Sequence, residues 1–425
     1  MLNNKNIFFN KRILIYGLGK SGLSTFKFLR KNNDITKYDD KIKTNYKEIK
    51  KIKFDYIILS PGININRCSL SNFLKKNYKK IHTDLDIFYS HYKDNNKITI
   101  TGTNGKSTTA KILYEILKAQ KVDVRLVGNI GNPILLEKNI TNKTVFVIEA
   151  SSYQLEYSKL FRSNISLILN ISPDHLDRHK TISKYVNAKF KLVKNQSEKD
   201  LAILNVNNFY IKRQLQLNNF YSKIIKINKK TNINFIRKVK NKYFATDGNK
   251  ENLQFVFAVT KILKLKKDSL FKTLEKFKGL NYRQEIIYHS KKLTIINDSK
   301  STSFSSSESL LRSLDNVYWI VGGLAKKGDK LLWNKRNNKN IRAYIFGKDK
   351  GFFIDKLKKL MRYESFLNLK TLIQKIFLDI KIDNKLTHKT ILFSPAAASF
   401  DNFNNFEERG KFFNKLIMKH INAKL

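Results

Sequence analysis

Short apolar runs recur along this chain, and most are followed by a glycine, serine or asparagine turn and then by apolar residues spaced three and four apart. Ile13–Tyr16, Tyr56–Leu59, Ile98–Thr101, Val145–Ile148, Ile165–Ile171 and Leu201–Asn205 read as strands. Leu293–Ile296, Val317–Val321, Arg342–Phe346 and Thr390–Phe393 continue the series. Ser107–Gln120 reads as a helix, because Ile112, Leu113, Ile116 and Leu117 fall on one face, and Ser269–Phe277 has a similar pattern. Strands alternating with helices predict α/β domains with largely parallel sheets, which bind ligands just beyond their strand ends. Polar breaks at Tyr92–Asn96 and Gly279–Asn281 suggest three domains: residues 1–94, 95–281 and 282–425. The stretch Asn207–Asp247 is basic and aromatic and fits no element cleanly; its Phe and Tyr residues fit packing better than base stacking.

Composition changes this picture little. The length of 425 residues allows two or three full cores, and 41% hydrophobic content is ordinary for a globular protein. No apolar run is long enough to cross a bilayer, and Asn3–Gly17 has no signal-peptide core, so a cytoplasmic protein is expected. The single cysteine, Cys68, excludes an intrachain disulfide and a cysteine metal cluster. The net charge of +49 invites a nucleic-acid reading, but the lysines are spread through every segment among Asn, Ile and Phe. A solvated basic surface that adheres to polyanions without specificity accounts for that spread. No specific nucleic acid and no membrane partner is expected, and the expected working form is a monomer.

The chemistry lies at the strand ends. Gly102-Thr103-Asn104-Gly105-Lys106-Ser107 joins the run Lys97–Thr101 to the helix that follows. Such a turn aims backbone N–H groups at one point, where the helix N-terminus adds roughly half a positive charge. Lys106 adds a full charge for terminal phosphates and Ser107 a hydroxyl for Mg²⁺. The spacing Gly-x-x-Gly-Lys-Ser is two residues shorter than the common phosphate loop, but strand, turn and helix agree with it. Gly17-Leu18-Gly19-Lys20-Ser21-Gly22 follows Ile13–Tyr16, with Asp39 and Asp40 after the next strand-like stretch and Ser60-Pro61-Gly62 bordering the same cleft. Alone, this loop reads as a dinucleotide site or as a close strand-to-helix turn. Glu149 ends Val145–Ile148, as a Mg²⁺ ligand or an ordinary strand-end acid. His175, in Asn170–His179, fits a metal ligand, an acid/base group or a turn residue equally well, and Asp174 and Asp177 fit turn or cap roles. Asn297–Thr302, Gly322–Lys326 and Phe393–Phe400 carry Lys, Ser and Thr at three more strand ends, which suits a small anionic substrate.

Together these segments resemble the Mur ligases, ATP-dependent amide-forming enzymes of peptidoglycan precursor synthesis. The loop Thr101–Thr108 has that family's form, short spacing included. Glu149–Glu156, Asn297–Thr302 and Ser394–Gly410 are similar to the branch that adds D-glutamate to UDP-N-acetylmuramoyl-L-alanine. The resemblance implies a Rossmann-like N-terminal domain for the UDP substrate, a central P-loop ATPase-type parallel-sheet domain for ATP, and a Rossmann-like C-terminal domain for the amino acid. It implies that Gly17, Gly19, Lys20, Ser21, Asp39 and Gly62 hold the UDP part and that Asn129 meets the sugar or lactyl portion. Gly102, Thr103, Asn104, Gly105, Lys106, Ser107 and Thr108 would bind ATP phosphates, with Asn252, Arg283 and Asp298 near the rest of the nucleotide. Ser107 and Glu149 would hold one Mg²⁺, and His175 a second. Lys189 would be a carbamate formed from CO₂, an anionic oxygen ligand in place of a cation that repels metal. Lys300, Thr302, Lys326, Ser399, Phe400 and Phe406 would form the D-glutamate pocket.

Three departures from the family pattern stand out. Ser-Lys-Ala-Thr-Asn reads Ser299-Lys300-Ser301-Thr302-Ser303, His-Asn reads Gly248-Asn249, and Ala-Cys-Ala-Ser reads Ala396-Ala397-Ala398-Ser399. The last excludes an essential cysteine there. The resemblance also implies the reaction: the alanyl carboxylate is phosphorylated by ATP and the acyl phosphate is aminolysed, with Lys106, His175 and Lys189 as the catalytic set. A sister amide ligase, a nicotinamide-dependent dehydrogenase using the Gly17 loop, and a nucleic-acid-binding protein are the rival readings.

Overall fold

The structure, a computed structural model, describes residues 6–42, 46–326, 328–333, 340–383 and 387–422. Its strands form three sheets, each with helices packed on it. The first holds β1 (Arg12–Tyr16), β2 (Asp34–Tyr38), β3 (Tyr56–Leu59) and β4 (Ile81–His82) in the order β2-β1-β3-β4, all parallel. The second holds β5 (Asn96–Thr101), β6 (Val124–Gly128), β7 (Val145–Glu149), β8 (Ile165–Ile168), β9 (Leu201–Asn205) and β10 (Lys223–Ile227). Its order is β10-β9-β8-β5-β7-β6, again all parallel. The third holds β11 (Glu285–His289), β12 (Leu293–Asn297), β13 (Val317–Gly322), β14 (Ile341–Phe346), β15 (Arg362–Ser365) and β16 (Lys389–Phe393), in the order β11-β12-β16-β13-β14-β15.

All ten apolar runs read from the sequence are strands here, although the run from Ile165 ends at Ile168 rather than Ile171. The other six strands are the two edges of each sheet. An edge strand is covered on fewer sides and carries no continuous apolar run; β15 is exposed at all four positions. The third sheet is mixed, because β11 pairs antiparallel with β12 through an irregularity between Ile286 and Tyr288.

The order of strands puts the loops where ligands bind. β1 lies between β2 and β3, and β5 lies between β7 and β8, so strand order reverses at β1 and at β5. The crevice at such a switch point opens at the C-terminal strand ends, which is where the Gly17 and Gly102 loops begin. In the third sheet β12, β16 and β13 are adjacent, so the loops after Asn297, Phe393 and Gly322 emerge side by side.

The first two sheets belong to one compact unit (Met1–Ile171, His175–Ile233 and Gln254–Thr273), and they share a core. Ile13, Ile15, Ile58, Leu85 and Phe88 pack in one cluster with Val127, Phe146, Ile148, Leu155 and Leu192. The rings of Phe88 and Phe146 meet edge to face at 4.8 Å across it. A buried carboxylate reinforces the junction: Asp86 accepts hydrogen bonds from Ser158 Oγ (2.7 Å) and from the backbone N–H groups of Lys159, Leu160 and Phe161. Burial alone would raise the Asp86 pKa; hydrogen bonds from His82 and Ser158, with the His82 charge, hold it below the usual range. The other unit contains Ser172–Asp174, Asn234–Leu253 and Leu274–Leu425. Its sheet is covered on both faces, by Trp319, Val321, Phe353 and Leu357 on one and by Tyr344, Ile376, Phe393 and Phe413 on the other.

The stretch that fitted no element resolves into helices Phe209–Leu217 and Ile233–Arg237, β10, and a 3₁₀ turn at Lys242–Phe244. Its aromatic residues divide. Tyr243 and Phe244 are buried against Phe277, whereas Phe209 and Tyr221 are 66% and 75% exposed. Among the described residues no helix is long and apolar enough to cross a membrane.

Candidate functional site

Two of the loops that follow strand ends, those after β1 and β5, are shaped by backbone constraints first. After β1, the chain turns at Gly17 and enters the helix Lys20–Leu29. A Cβ on Gly22 would sit 1.8 Å from the Gly17 carbonyl oxygen, so only glycine lets that helix approach the turn. Gly19 and Lys20 are exposed, Ser21 is half-buried, and Gly62 sits exposed on the neighbouring turn. Asp39 reaches back to accept N–H bonds from Leu18 (2.6 Å) and Lys41 (3.0 Å), which hold its carboxyl below the usual carboxylate range. Asp39, expected at the UDP part of the substrate, is thus also the group that shapes the glycine loop.

After β5, Gly105 takes a left-handed φ of 83° as the cap of the helix Lys106–Ala119, a conformation costly for any residue with a Cβ. Asn170 clamps the loop from the end of β8: its backbone carbonyl accepts from Thr103 N and its Oδ1 from Asn104 N, each at 2.8 Å. Lys106 Nζ donates to the carbonyls of Gly102 (3.0 Å) and Thr103 (2.7 Å), folding over the loop. Ser107 and Thr108 are buried in the first turn of the helix.

Glu149, at the end of β7, is 1% exposed. Its Oε2 accepts from Ser107 Oγ at 2.6 Å and its Oε1 from Asn129 Nδ2 at 2.9 Å. Asn129 therefore meets the same carboxylate as the phosphate loop. Both of these partners are neutral. A carboxylate and a hydroxyl are hard oxygen donors of the kind Mg²⁺ takes alongside phosphate oxygens and water. That donor set fits the metal that the phosphate loop implies. No group of three or more His, Cys, Asp or Glu side chains at metal-holding distance exists among the described residues, which excludes an all-protein cage there.

Tyr185 gathers the remaining central residues. Its hydroxyl lies 3.0 Å from Thr103 Oγ1, and its ring sits beneath Lys189 Nζ at 4.5 Å and 6.3 Å from the His175 ring. Lys189 is 1% exposed on the helix Ile182–Lys194, and its Nζ donates to the Gly102 carbonyl at 2.8 Å. Lys106 and Lys189 thus meet on one carbonyl of the phosphate loop. His175 has a left-handed φ of 56°, and its Nδ1 lies 2.9 Å from the Tyr153 hydroxyl. A metal at Nε2 would require the tautomer in which Nδ1–H donates to the Tyr153 hydroxyl. The nearby His179 is pushed down to about 4, first by burial and then by the Arg178 charge, so it is neutral at pH 7.

In the other unit, Asp298 is buried after β12 and both its oxygens have protein partners: Gln284 N–H at 3.1 Å and Ser394 Oγ at 2.8 Å. Asn252 is buried, with its Nδ2 3.3 Å from Asn249 Oδ1. The Arg283 guanidinium lies 5.8 Å from the centre of the Phe406 ring, and Lys300 Nζ lies over that ring at 4.0 Å. Lys326 Nζ pairs with Asp174 Oδ1 at 2.8 Å. Ser399 is buried, Thr302 half-buried, and Phe400 71% exposed. Arg409, fully buried, donates from Nε to Ser299 Oγ and from Nη2 to the carbonyls of Ser299 (2.7 Å) and Ala397 (2.9 Å). It fastens the loop bearing Lys300 to the loop bearing Ser399. Sequence reasoning did not single out Tyr153, Asn170, Tyr185 or Arg409. Only Tyr185 left a signal, one helical turn before Lys189.

Burial pushes the Asp298 carboxyl up to about 7. The folded state therefore holds a proton that the unfolded chain releases near pH 4, and stability falls as pH rises from about 4 to about 7. Asp298→Asn should remove that loss. Thermal melts from pH 4 to 8 are expected to show the wild type losing ground to the variant, by up to about 4 kcal/mol above pH 7. A constant difference across that range contradicts the assignment.

Residues 100–270 match the family described as Mur ligase middle domain. The UDP-N-acetylmuramoylalanine--D-glutamate ligase of Rickettsia felis is 32% identical over an alignment of 442 residues, covering 96% of this chain and 97% of that protein. The ligase of the same name from Francisella tularensis subsp. novicida is also 32% identical, covering 96% of this chain and 95% of its own. Among solved structures, the MurF ligase of Thermotoga maritima in complex with ADP superposes with a TM-score of 0.58 at 14% identity, covering 98% of this chain and 100% of that one. UDP-N-acetylmuramate-alanine ligase from the same organism gives 0.56 at 16% identity, covering 96% and 100%. These two likenesses speak for the fold.

Proposed function

This chain belongs to the Mur ligase family, and from that premise we propose that it is an ATP-dependent ligase joining D-glutamate to UDP-N-acetylmuramoyl-L-alanine in peptidoglycan precursor synthesis. One observation carries the ATP half of the reading: Ser107 Oγ on the buried Glu149 carboxylate, beside a lysine folded over a glycine turn at a helix N-terminus. The acceptor and the amino acid follow the activity of the relatives.

In this reading an oxygen of the alanyl carboxylate attacks the γ-phosphorus of ATP, the bond to the β-phosphate oxygen breaks, and ADP leaves. The amine of D-glutamate then attacks the acyl carbon. It loses a proton, and the tetrahedral intermediate expels phosphate as the amide forms. A carboxylate and a triphosphate repel each other, so the residues around them must gather positive charge. Lys106 and the loop N–H groups cradle the phosphates. Ser107 and Glu149 would hold one magnesium ion and His175 a second, which when bound would supply the further positive charge that phosphoryl transfer needs. Lys189 serves as a carbamate. Its nitrogen keeps one N–H, so the bond to Gly102 can persist while a carboxylate, one negative charge shared by two oxygens, is added.

The Gly17 loop, Lys20, Ser21, Asp39, Gly62 and Asn129 hold the UDP substrate. Asn252, Arg283 and Asp298 lie near the nucleotide, and Lys300, Thr302, Lys326, Ser399, Phe400 and Phe406 receive D-glutamate. The division at 94/95 and 281/282, a monomeric form and a cytoplasmic location belong to the same proposal. The test is phosphate release with ATP, UDP-N-acetylmuramoyl-L-alanine and D-glutamate, each omitted in turn. Release should require all three. Release without the UDP substrate, or equal release with other amino acids, contradicts the reading.

A further inference from the structure

Arg178 lies outside every role assigned so far, yet its side chain is only 5% exposed and touches three parts of the site. Its Nε donates to Glu156 Oε2 at 2.9 Å, and its Nη1 reaches the Gly62 carbonyl at 3.4 Å. Its guanidinium plane lies over the Tyr153 ring at 4.7 Å and near the Tyr157 ring at 5.6 Å. Tyr153 in turn holds His175 Nδ1 through its hydroxyl, and Glu156 also lies 3.8 Å from His179 Nδ1. Resting on the functional reading above, we propose that Arg178 is the positioning residue for the UDP-linked acyl substrate, tying the turn at Gly62 to the Tyr153–His175 pair.

The chemistry of the group favours this over simple packing. A guanidinium offers donors in a fixed planar fork and a flat face that stacks on aromatic rings; an ammonium on a flexible stem offers neither. Arg178 uses the fork toward Glu156 and Gly62 and the face toward Tyr153. Its Nη2 is buried with no hydrogen-bond partner among the described residues. An orphaned buried N–H costs about 1–3 kcal/mol, so a residue selected only for stability would be better replaced by an apolar one. A group kept in place despite that cost is expected where geometry is set for function. Displacing a reacting group by about 1 Å can lower a rate by about 100-fold. Arg178 touches both the UDP-side turn at Gly62 and Tyr153, the aromatic support of His175.

The test compares Arg178→Lys, Arg178→Met and Glu156→Gln with the wild type in steady-state assays, varying each substrate separately. Both Arg178 variants should raise KM for UDP-N-acetylmuramoyl-L-alanine by about 10-fold or more and lower kcat, with KM for ATP and D-glutamate within about 2-fold. Glu156→Gln keeps an oxygen for Nε and should stay within about 3-fold of wild type. Calorimetric titration with the UDP substrate and with ATP should show the same selectivity without turnover. Equal changes in all three KM values, no change in any, or loss of cooperative unfolding in both Arg178 variants overturns the proposal. A wild type whose phosphate release does not require all three substrates overturns the functional reading instead, so the two failures are distinct.

Discussion

Lys106→Ala is expected to reduce ATP-dependent phosphate release by about 1,000-fold or more while leaving the fold intact. Lys106 Nζ donates to the carbonyls of Gly102 and Thr103, and both carbonyls belong to its own loop. The fold is expected to survive the change, because the helix Lys106–Ala119 packs through Ile112, Leu113, Ile116 and Leu117. The change does remove the positive charge that Lys106 brings to the phosphate cradle, where negative charge spreads during transfer. A phosphate-release assay paired with a thermal melt checks this. Near-normal turnover, or a melt that collapses with the activity, would contradict the role.

Lys189→Ala should lose about 100- to 1,000-fold, and a small carboxylate such as acetate or formate should restore part of it. Lys189 is buried, so the alanine variant leaves room for such an acid beside Tyr185 and Gly102. Only a residue that serves as an anion is rescued by an anion. If the lysine acted as a cation on the Gly102 carbonyl, an added amine would help and an added acid would not. The intact protein should also carry a mass increment of one CO₂ that is lost on acidification. A fully active variant, or a loss that no acid relieves, removes the carbamate.

These two positions show what a sequence does and does not expose. The phosphate loop was legible because its chemistry is local: glycine turn, lysine, serine and helix face are contiguous, so the spacing of Gly102–Ser107 is itself the geometry. The ten interior strands were legible because burial on both faces demands an apolar run. Of the edge strands only β2 was marked, as the stretch before Asp39; β4, β6, β10, β11 and β15 were not, since an edge strand has a neighbour on one side only. Site contacts that cross the fold left no local mark. Asn170 reaches Asn104 from 66 positions away, Asn129 reaches Glu149 from the edge strand β6, and Arg409 reaches Ser299 from 110 positions away. The role of Lys189 came from family resemblance alone, because one lysine among the 83 Lys and Arg of this chain carries no signal in composition.

The shared core of the first two sheets is the clearest addition. Phe88 packs on Phe146, and Asp86 receives four donors from Ser158–Phe161, so the Gly17 loop and the Gly102 loop are mounted on one body. Two loops that must bring a UDP-linked carboxylate to a triphosphate benefit from such a mount, since orientation contributes strongly to rate.

Isotope transfer tests the central claim most directly. UDP-N-acetylmuramoyl-L-alanine labelled with ¹⁸O in its alanyl carboxylate is incubated with ATP and D-glutamate, and the released phosphate is weighed by mass spectrometry. Activation of the carboxylate by ATP requires one carboxylate oxygen to leave with phosphate, so each phosphate should carry one ¹⁸O. Amide formation with unlabelled phosphate would contradict the account.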